Sequence, residues 1–227
     1  DSEISGNLAD IAGAIEADYA PTTLRRTLVS DNEARASGAL LFNIAADALL
    51  ENVTISGNRG NPGAILNDGG SHLTLVNSTV TRNGPAPGSG ATVGGIQDVH
   101  GGFGFTFLAN TILSGNGPGF IADDCERATS FGGNIVGDSA HCEFDAGATD
   151  QLDADPALGP LADNGGFTRT HLIGADALDR GTTGNCAPTD QRGIERPIDG
   201  DADGVAACDV GAVELMLDAI FVSGFDA

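Results

Sequence analysis

Ile55-Ser56-Gly57-Asn58, followed by Gly63-Ala64-Ile65, decides the fold, because the chain returns to both phrases at a nearly fixed interval. The first recurs as Ile4-Ser5-Gly6-Asn7, Val29-Ser30-Asp31-Asn32, Val80-Thr81-Arg82-Asn83 and Leu113-Ser114-Gly115-Asn116, so its asparagines step by 25, 26, 25 and 33 residues. The second recurs at Gly13-Ala14-Ile15, Gly38-Ala39-Leu40, Gly94-Gly95-Ile96 and Gly119-Phe120-Ile121. Self-similarity at a period of about 20 to 50 residues marks stacked repeats, none of which buries its apolar face alone.

Within a repeat, apolar residues such as Leu24, Leu28, Leu40 and Phe42 fall at even spacings, the mark of half-buried strands. Gly and Asn between them supply turns, and Asn tolerates the left-handed backbone that a tight corner needs. The expected fold is all-β: a right-handed parallel β-helix of about five coils of ~25 residues, with the asparagines stacked at one corner and bonded from coil to coil. Ile4, Ile11 and Ile15 are the expected inward positions of the first coil.

Composition agrees. Apolar residues make up 41% of the 227, but aromatics only 5%, Trp is absent and Gly numbers 34, so a core of Ile, Leu, Val and Ala between many turns suits thin coils of sheet. Three segments follow: coils over 1–144, a C-terminal capping module over 145–215 and a tail over 216–227. Asp1 falls inside a repeat with no polar cap before it, so further coils are expected ahead of it.

Acidic residues number 32 against 10 basic ones, every basic one an Arg, for a net charge of −22. That balance opposes a nucleic-acid or anionic-membrane partner. No apolar run is long enough to span a bilayer. Cys125, Cys142, Cys186 and Cys208 lack metal-ligand spacing, and His72, His100, His141 and His171 show no ligand pattern. Two disulfides, Cys125 to Cys142 and Cys186 to Cys208, are the economical pairing and imply an oxidising compartment.

The sharpest local signal for chemistry is Asp199-Gly200-Asp201-Ala202-Asp203-Gly204. Alternate carboxylates followed by Gly can wrap Ca²⁺, which takes six to eight oxygens. Val210 stands where an EF-hand loop would carry its Glu, so the full motif is not met and Asp209 is the substitute. The expected metal ligands are Asp199, Asp201, Asp203 and Asp209, holding a structural Ca²⁺, with a solvated acidic turn as the alternative. Arg192 and Arg196 flank the loop and are expected to pair internally with carboxylates, the alternative being an anion-binding role.

No Ser-His-Asp arrangement or phosphate loop stands out. A glycosidase would need two carboxyls about 5 to 9.5 Å apart, and neighbouring coils offer Asp31 with Glu51 or Asp68 with Asp98. Arg59 and Arg82, beside Asn58 and Asn83, are expected to form a short arginine ladder. No catalytic or cofactor-binding residue is assigned, and the chain leans away from being an enzyme.

The two recurring phrases resemble the repeats of bacterial β-helix surface proteins, including the polymorphic outer-membrane type. Asp155-Pro156-Ala157-Leu158-Gly159-Pro160-Leu161-Ala162-Asp163-Asn164-Gly165-Gly166, Ala175-Asp176-Ala177-Leu178-Asp179-Arg180-Gly181, Asp190-Gln191-Arg192-Gly193 and Cys208-Asp209-Val210-Gly211-Ala212 resemble the C-terminal module of choice-of-anchor Q proteins. The ending Ile220-Phe221-Val222-Ser223-Gly224-Phe225-Asp226 is similar to short tails of secreted gammaproteobacterial proteins. The resemblance covers the first coil to about Leu215. It implies an extracellular or outer-surface location in a bacterium and no established reaction.

The function expected from all this is that of a secreted or cell-surface structural or adhesive protein, meeting a polysaccharide or cell-surface ligand through its sheet face and the loops of the fourth coil. The alternatives are a polysaccharide-degrading β-helix enzyme and a subunit of an extracellular assembly. The assembly subunit would dock its open first coil on missing coils or on another copy of the chain.

Overall fold

Every strand of the repeats pairs in parallel with the strand one repeat away, and the pairing follows the phrases seen in the sequence. The computed structural model describes residues 1–89, 93–99, 105–117 and 124–215. Ser2–Ser5, Thr22–Ser30 and Asp47–Ser56 lie side by side with Ile4, Val29 and Ile55 in register, and Thr79–Thr81 continues the row at Val80 and Ile112–Ser114 at Leu113. They belong to an eleven-stranded sheet. A four-stranded parallel sheet holds Leu8–Ala9, Glu33–Ala34, Arg59–Gly60 and Gly84–Pro85, and another holds Ile15–Asp18, Leu40–Asn43, Ile65–Asn67 and Ile96–Asp98. The chain visits the three sheets in the same order in each of its first four repeats. The tail over 216–227 and the phrase Gly119-Phe120-Ile121 lie outside the described residues, as do parts of both fourth-repeat loops.

Corners form where the backbone turns left-handed, and they recur in rows. Arg26, Asn52, Asn77 and Asn110, with φ of 48°, 55°, 46° and 47°, bend the large sheet at matching positions. A second row runs Gly6, Asp31, Gly57, Arg82 and Gly115, with φ between 55° and 72°. Gly is the unstrained residue there, and Asn pays less than most.

Behind the second row the asparagines stack. The Nδ2 of Asn7, Asn32, Asn58 and Asn83 each donates to Oδ1 of the next asparagine, at 2.8 to 3.0 Å, and the backbone N of each donates to that same oxygen. All the donors point the same way, so the last member needs an acceptor with no donor of its own. That is Asp124, whose Oδ1 accepts from Asn116 N and Nδ2, while Oδ2 accepts from Asp138 N. Burial pushes the Asp124 carboxyl up to about 6 against these donors. A parallel series ends likewise on a carboxylate: Thr111 N donates to Asn134 Oδ1, and Asn134 N and Nδ2 donate to Asp150 Oδ1.

Apolar side chains fill the interior, with Leu40, Phe42, Leu50, Ile55, Ile65, Leu73, Leu75, Ile96, Leu108 and Leu113 fully buried, while Leu28 is buried on the outer face, in the row of Thr54, Thr79 and Ile112. Each contributes about 1.5 to 3 kcal/mol by leaving water. At the first repeat the expectation fails for Ile11, which is 53% exposed along with Leu8 and Tyr19, because its strands have a neighbour on one side only.

Residues from about 155 onward lie along the flank of the large sheet. Outward-facing Ile112 and Ile135 join Ile173, Leu178, Val210, Val213 and Leu215 in a second apolar core. Hydrogen bonds tie this flank to successive repeats: Arg169 to Glu3, Asn52 to Thr189, Thr54 to Gln191, Ala187 to Asn77, Ala212 to Thr79, and Asn110 to Thr182. Disulfides join Cys125 to Cys142 and Cys186 to Cys208. Bonds of this kind form and persist in oxidising compartments. Among the described residues, no helix is long and apolar enough to cross a membrane.

Candidate functional site

Of the four expected metal ligands, the structure brings Asp199 and Asp201 together, and it adds Asp179, which sequence reasoning did not single out. One ligand atom from each lies within 4.8 Å of the others. The turn is built by its own carboxylates: Asp199 Oδ2 accepts from Gly204 N, Asp201 Oδ1 from Asp203 N and Asp203 Oδ1 from Val205 N. Asp179 holds the turn down, with Oδ2 accepting from Gly200 N and Asp201 N and Oδ1 from Ala207 N. Asp199 Oδ1 is buried and has no hydrogen-bond partner among the described residues. Asp203 lies outside this triad.

Asp209 lies outside it too, in a buried charge cluster beneath. Its oxygens accept from Asp179 N and Leu215 N. Arg196 and Glu214 pair at 2.9 Å with both side chains wholly buried, and Arg192 pairs with buried Asp190 at 2.8 Å. Both arginines thus pair internally, as the dense carboxylates of the sequence suggest. Arg196 also donates to the carbonyls of Asp209 and Gly211, and Arg192 to that of Glu214. Three carboxyls face two guanidiniums, so one negative charge is left over in a buried site. Burial first and Glu214 second push Asp209 up to about 7. Burial moves Glu214 up and Arg196 down, outweighing their attraction.

Ser56 Oγ lies 2.9 Å from His171 Nε2, and His171 Nδ1 lies 2.8 Å from the Gly159 carbonyl. A carbonyl accepts only, so Nδ1 carries the proton and Nε2 takes the hydroxyl proton of Ser56 as acceptor. The pair has the form of a nucleophile and its base. With exposures of 3% and 1%, however, it pins the flank to the sheet out of reach of substrate. Burial lowers the His171 pKa.

Of the expected carboxylate pairs, Asp31 and Glu51 are held apart, since Glu51 aligns with Arg25 and Asp31 falls beside Gly57, six positions further along. Glu51 is bound to Arg25 at 3.0 Å. Asp98 is 2% exposed and accepts from Thr106 Oγ1 and Asn67 Nδ2. Asp68 accepts from Gly69 N and follows Asn67, the register partner of Asp98, so that pair is adjacent in register but has one member closed off by burial.

A row of aromatic rings crosses the outer face of the large sheet: His72 and Phe105 at 6.0 Å, Phe105 and Phe107 at 5.9 Å, and Phe107 and Phe131 stacked at 4.7 Å and 10°. Phe105 is 44% and Phe131 52% exposed. An open groove beside the row runs over Pro21, Thr23, Leu49, His72 and Thr74. Only the parallel register assembles it, setting Leu49, Thr74 and Phe107 side by side. No family model, curated protein or solved structure matches the chain.

Proposed function

We propose that the chain is a secreted or cell-surface adhesive protein, built as a right-handed parallel β-helix with a Ca²⁺-bound C-terminal module over 145–215. It meets a polysaccharide through its sheet face. The observation that carries this reading is the exposed row His72, Phe105, Phe107 and Phe131 on the large sheet. Aromatic faces carry partial negative charge and attract the polarised C–H groups of a sugar ring, without needing the positive field that this acidic surface lacks. The repeat phrases, the resemblance to choice-of-anchor Q modules and the two disulfides support an extracellular setting.

Immobilised protein should retain a neutral polysaccharide without releasing oligosaccharides. Replacing both Phe107 and Phe131 with Ser should weaken retention about tenfold, two ring contacts at roughly 0.5 to 1.5 kcal/mol each. Oligosaccharide products detected by mass spectrometry, or retention indifferent to the double substitution, would sink the adhesive reading.

Ca²⁺ at Asp179, Asp199 and Asp201 is supported by the orphaned Asp199 Oδ1, an acceptor that a hard cation would satisfy. At a hundredfold excess over Kd, the ion should stabilise the fold by about 2.7 kcal/mol. A melting temperature unchanged between chelator and added Ca²⁺ would reject the site.

A further inference from the structure

Arg59 and Arg82 do not form the expected ladder in one column. Arg59 pairs in register with Glu33 and Gly84, while Arg82 follows Thr81 at the corner aligned with Gly57. They meet diagonally, across a cleft of about 540 Å³ that also holds Asp31, Gly57, Gly84 and Gly117. That volume falls within the range of small-molecule sites, about 300 to 1,000 Å³.

The charges here are unusual for this molecule. Among the described residues, seven of the ten arginines are ion-paired. Arg59 has no side-chain hydrogen bond or ion pair among the described residues, although Glu33 is its register partner. Arg82 gives one nitrogen to the carbonyls of Leu158 and Gly159 and has no carboxylate partner among the described residues. Arg180 also lacks a carboxylate there but stands apart, beside Thr149 and Asp150. In a chain of net charge −22, two guanidiniums left unneutralised at one corner are out of keeping with the rest of the surface.

The backbone adds an independent observation. The left-handed row reads Gly6, Asp31, Gly57, Arg82, Gly115, and its only departures from Gly, Asp31 and Arg82, both line the cleft. A non-glycine side chain at such φ is a cost that the fold does not require, since Gly serves at the other three positions.

We infer that this cleft is a binding site for a sugar acid, a pyranose carrying a single carboxylate. Two guanidinium forks match one carboxylate. Asp31, with no side-chain partner among the described residues, supplies an acceptor for a hydroxyl and repels a second anion. The strongly negative molecule as a whole likewise disfavours a densely charged polymer. Gly57, Gly84 and Gly117 add no side chain that would fill the cleft. The cleft sits at a corner and shares no residue with the aromatic face, so its failure leaves the adhesive reading untouched.

The test is calorimetric titration of the whole chain with galacturonate, galactose and acetate. Saturable binding of galacturonate is expected, at least about tenfold tighter than galactose, which lacks the carboxylate, or acetate, which lacks the hydroxyls. Arg59→Gln should weaken galacturonate about tenfold at an unchanged melting temperature, because the Arg59 side chain has no other hydrogen bond among the described residues and the residue is exposed. Asp31→Asn should narrow the gap between galacturonate and acetate. Absence of saturable galacturonate binding, equal binding of acetate, or Arg59→Gln binding as the parent does would each overturn the proposal.

Discussion

Replacing Arg196 with Met is expected to destabilise the protein by about 3 to 5 kcal/mol, the usual consequence of removing one partner of a buried ion pair. The side chain is wholly buried, and the variant strips donors from Glu214 and from the carbonyls of Asp209 and Gly211 together. Met fills the space but offers no hydrogen. Glu214 keeps only the backbone donors of Asp209 and Ile198, so a full negative charge stays buried opposite Asp209. The penalty should therefore shrink on acidification, when Glu214 takes a proton. Chemical denaturation at pH 8 and pH 5 checks both statements. A loss under about 1 kcal/mol at pH 8 would mean that the cluster is not closed to water.

The parent protein should itself become more stable as pH falls from 8 to about 5. Asp209 at about 7 and Asp124 at about 6 both lie above the ordinary 3.8. Between 3.8 and those values the folded chain holds protons that the unfolded chain has released. Stability is thus fully present below the lower value and is lost as pH rises through the upper ones. His171 works the other way: its folded pKa lies below 6.5, so the unfolded chain binds that proton first and stability falls as pH drops through this region. One imidazole opposes the two carboxyls, and Glu214 adds to the carboxyls' side. From pH 8 to pH 5 the two carboxyls contribute on the order of 4 kcal/mol, from which His171 subtracts. A melting temperature that is flat or falling from pH 8 to pH 5 would contradict the placement of these groups.

Much of the fold was legible because a repeat writes the same local problem several times over. Asn32, Asn58 and Asn83 each sit behind a left-handed corner residue, so their spacing announces both the corner and the ladder. Of the even-spaced residues Leu24, Leu28, Leu40 and Phe42, the last two report their inward burial by position alone, whereas the left-handed corner at Arg26 turns Leu28 to the outer face and Leu24 is only partly buried. Cysteine number and spacing led to the same two disulfides. Ile11 was misjudged because periodicity assigns an inward face whether or not a neighbour covers it.

The candidate sites were less legible. Asp179 joins Asp199 and Asp201 from a distant segment, and Ser56 meets His171 across 115 positions of sequence. Arg59 and Arg82 share a cleft only because one sits at a corner and the other a step beyond the preceding one. The sequence by itself determined which residues turn, which pair and which stack, since φ preference, strand alternation and repeat length act within one period. The tertiary structure alone decided which charges are buried together, which arginines lack a carboxylate partner among the described residues and how the flank lies on the sheet. Those depend on through-space neighbours, and desolvation and Coulomb attraction leave no periodic mark on the chain.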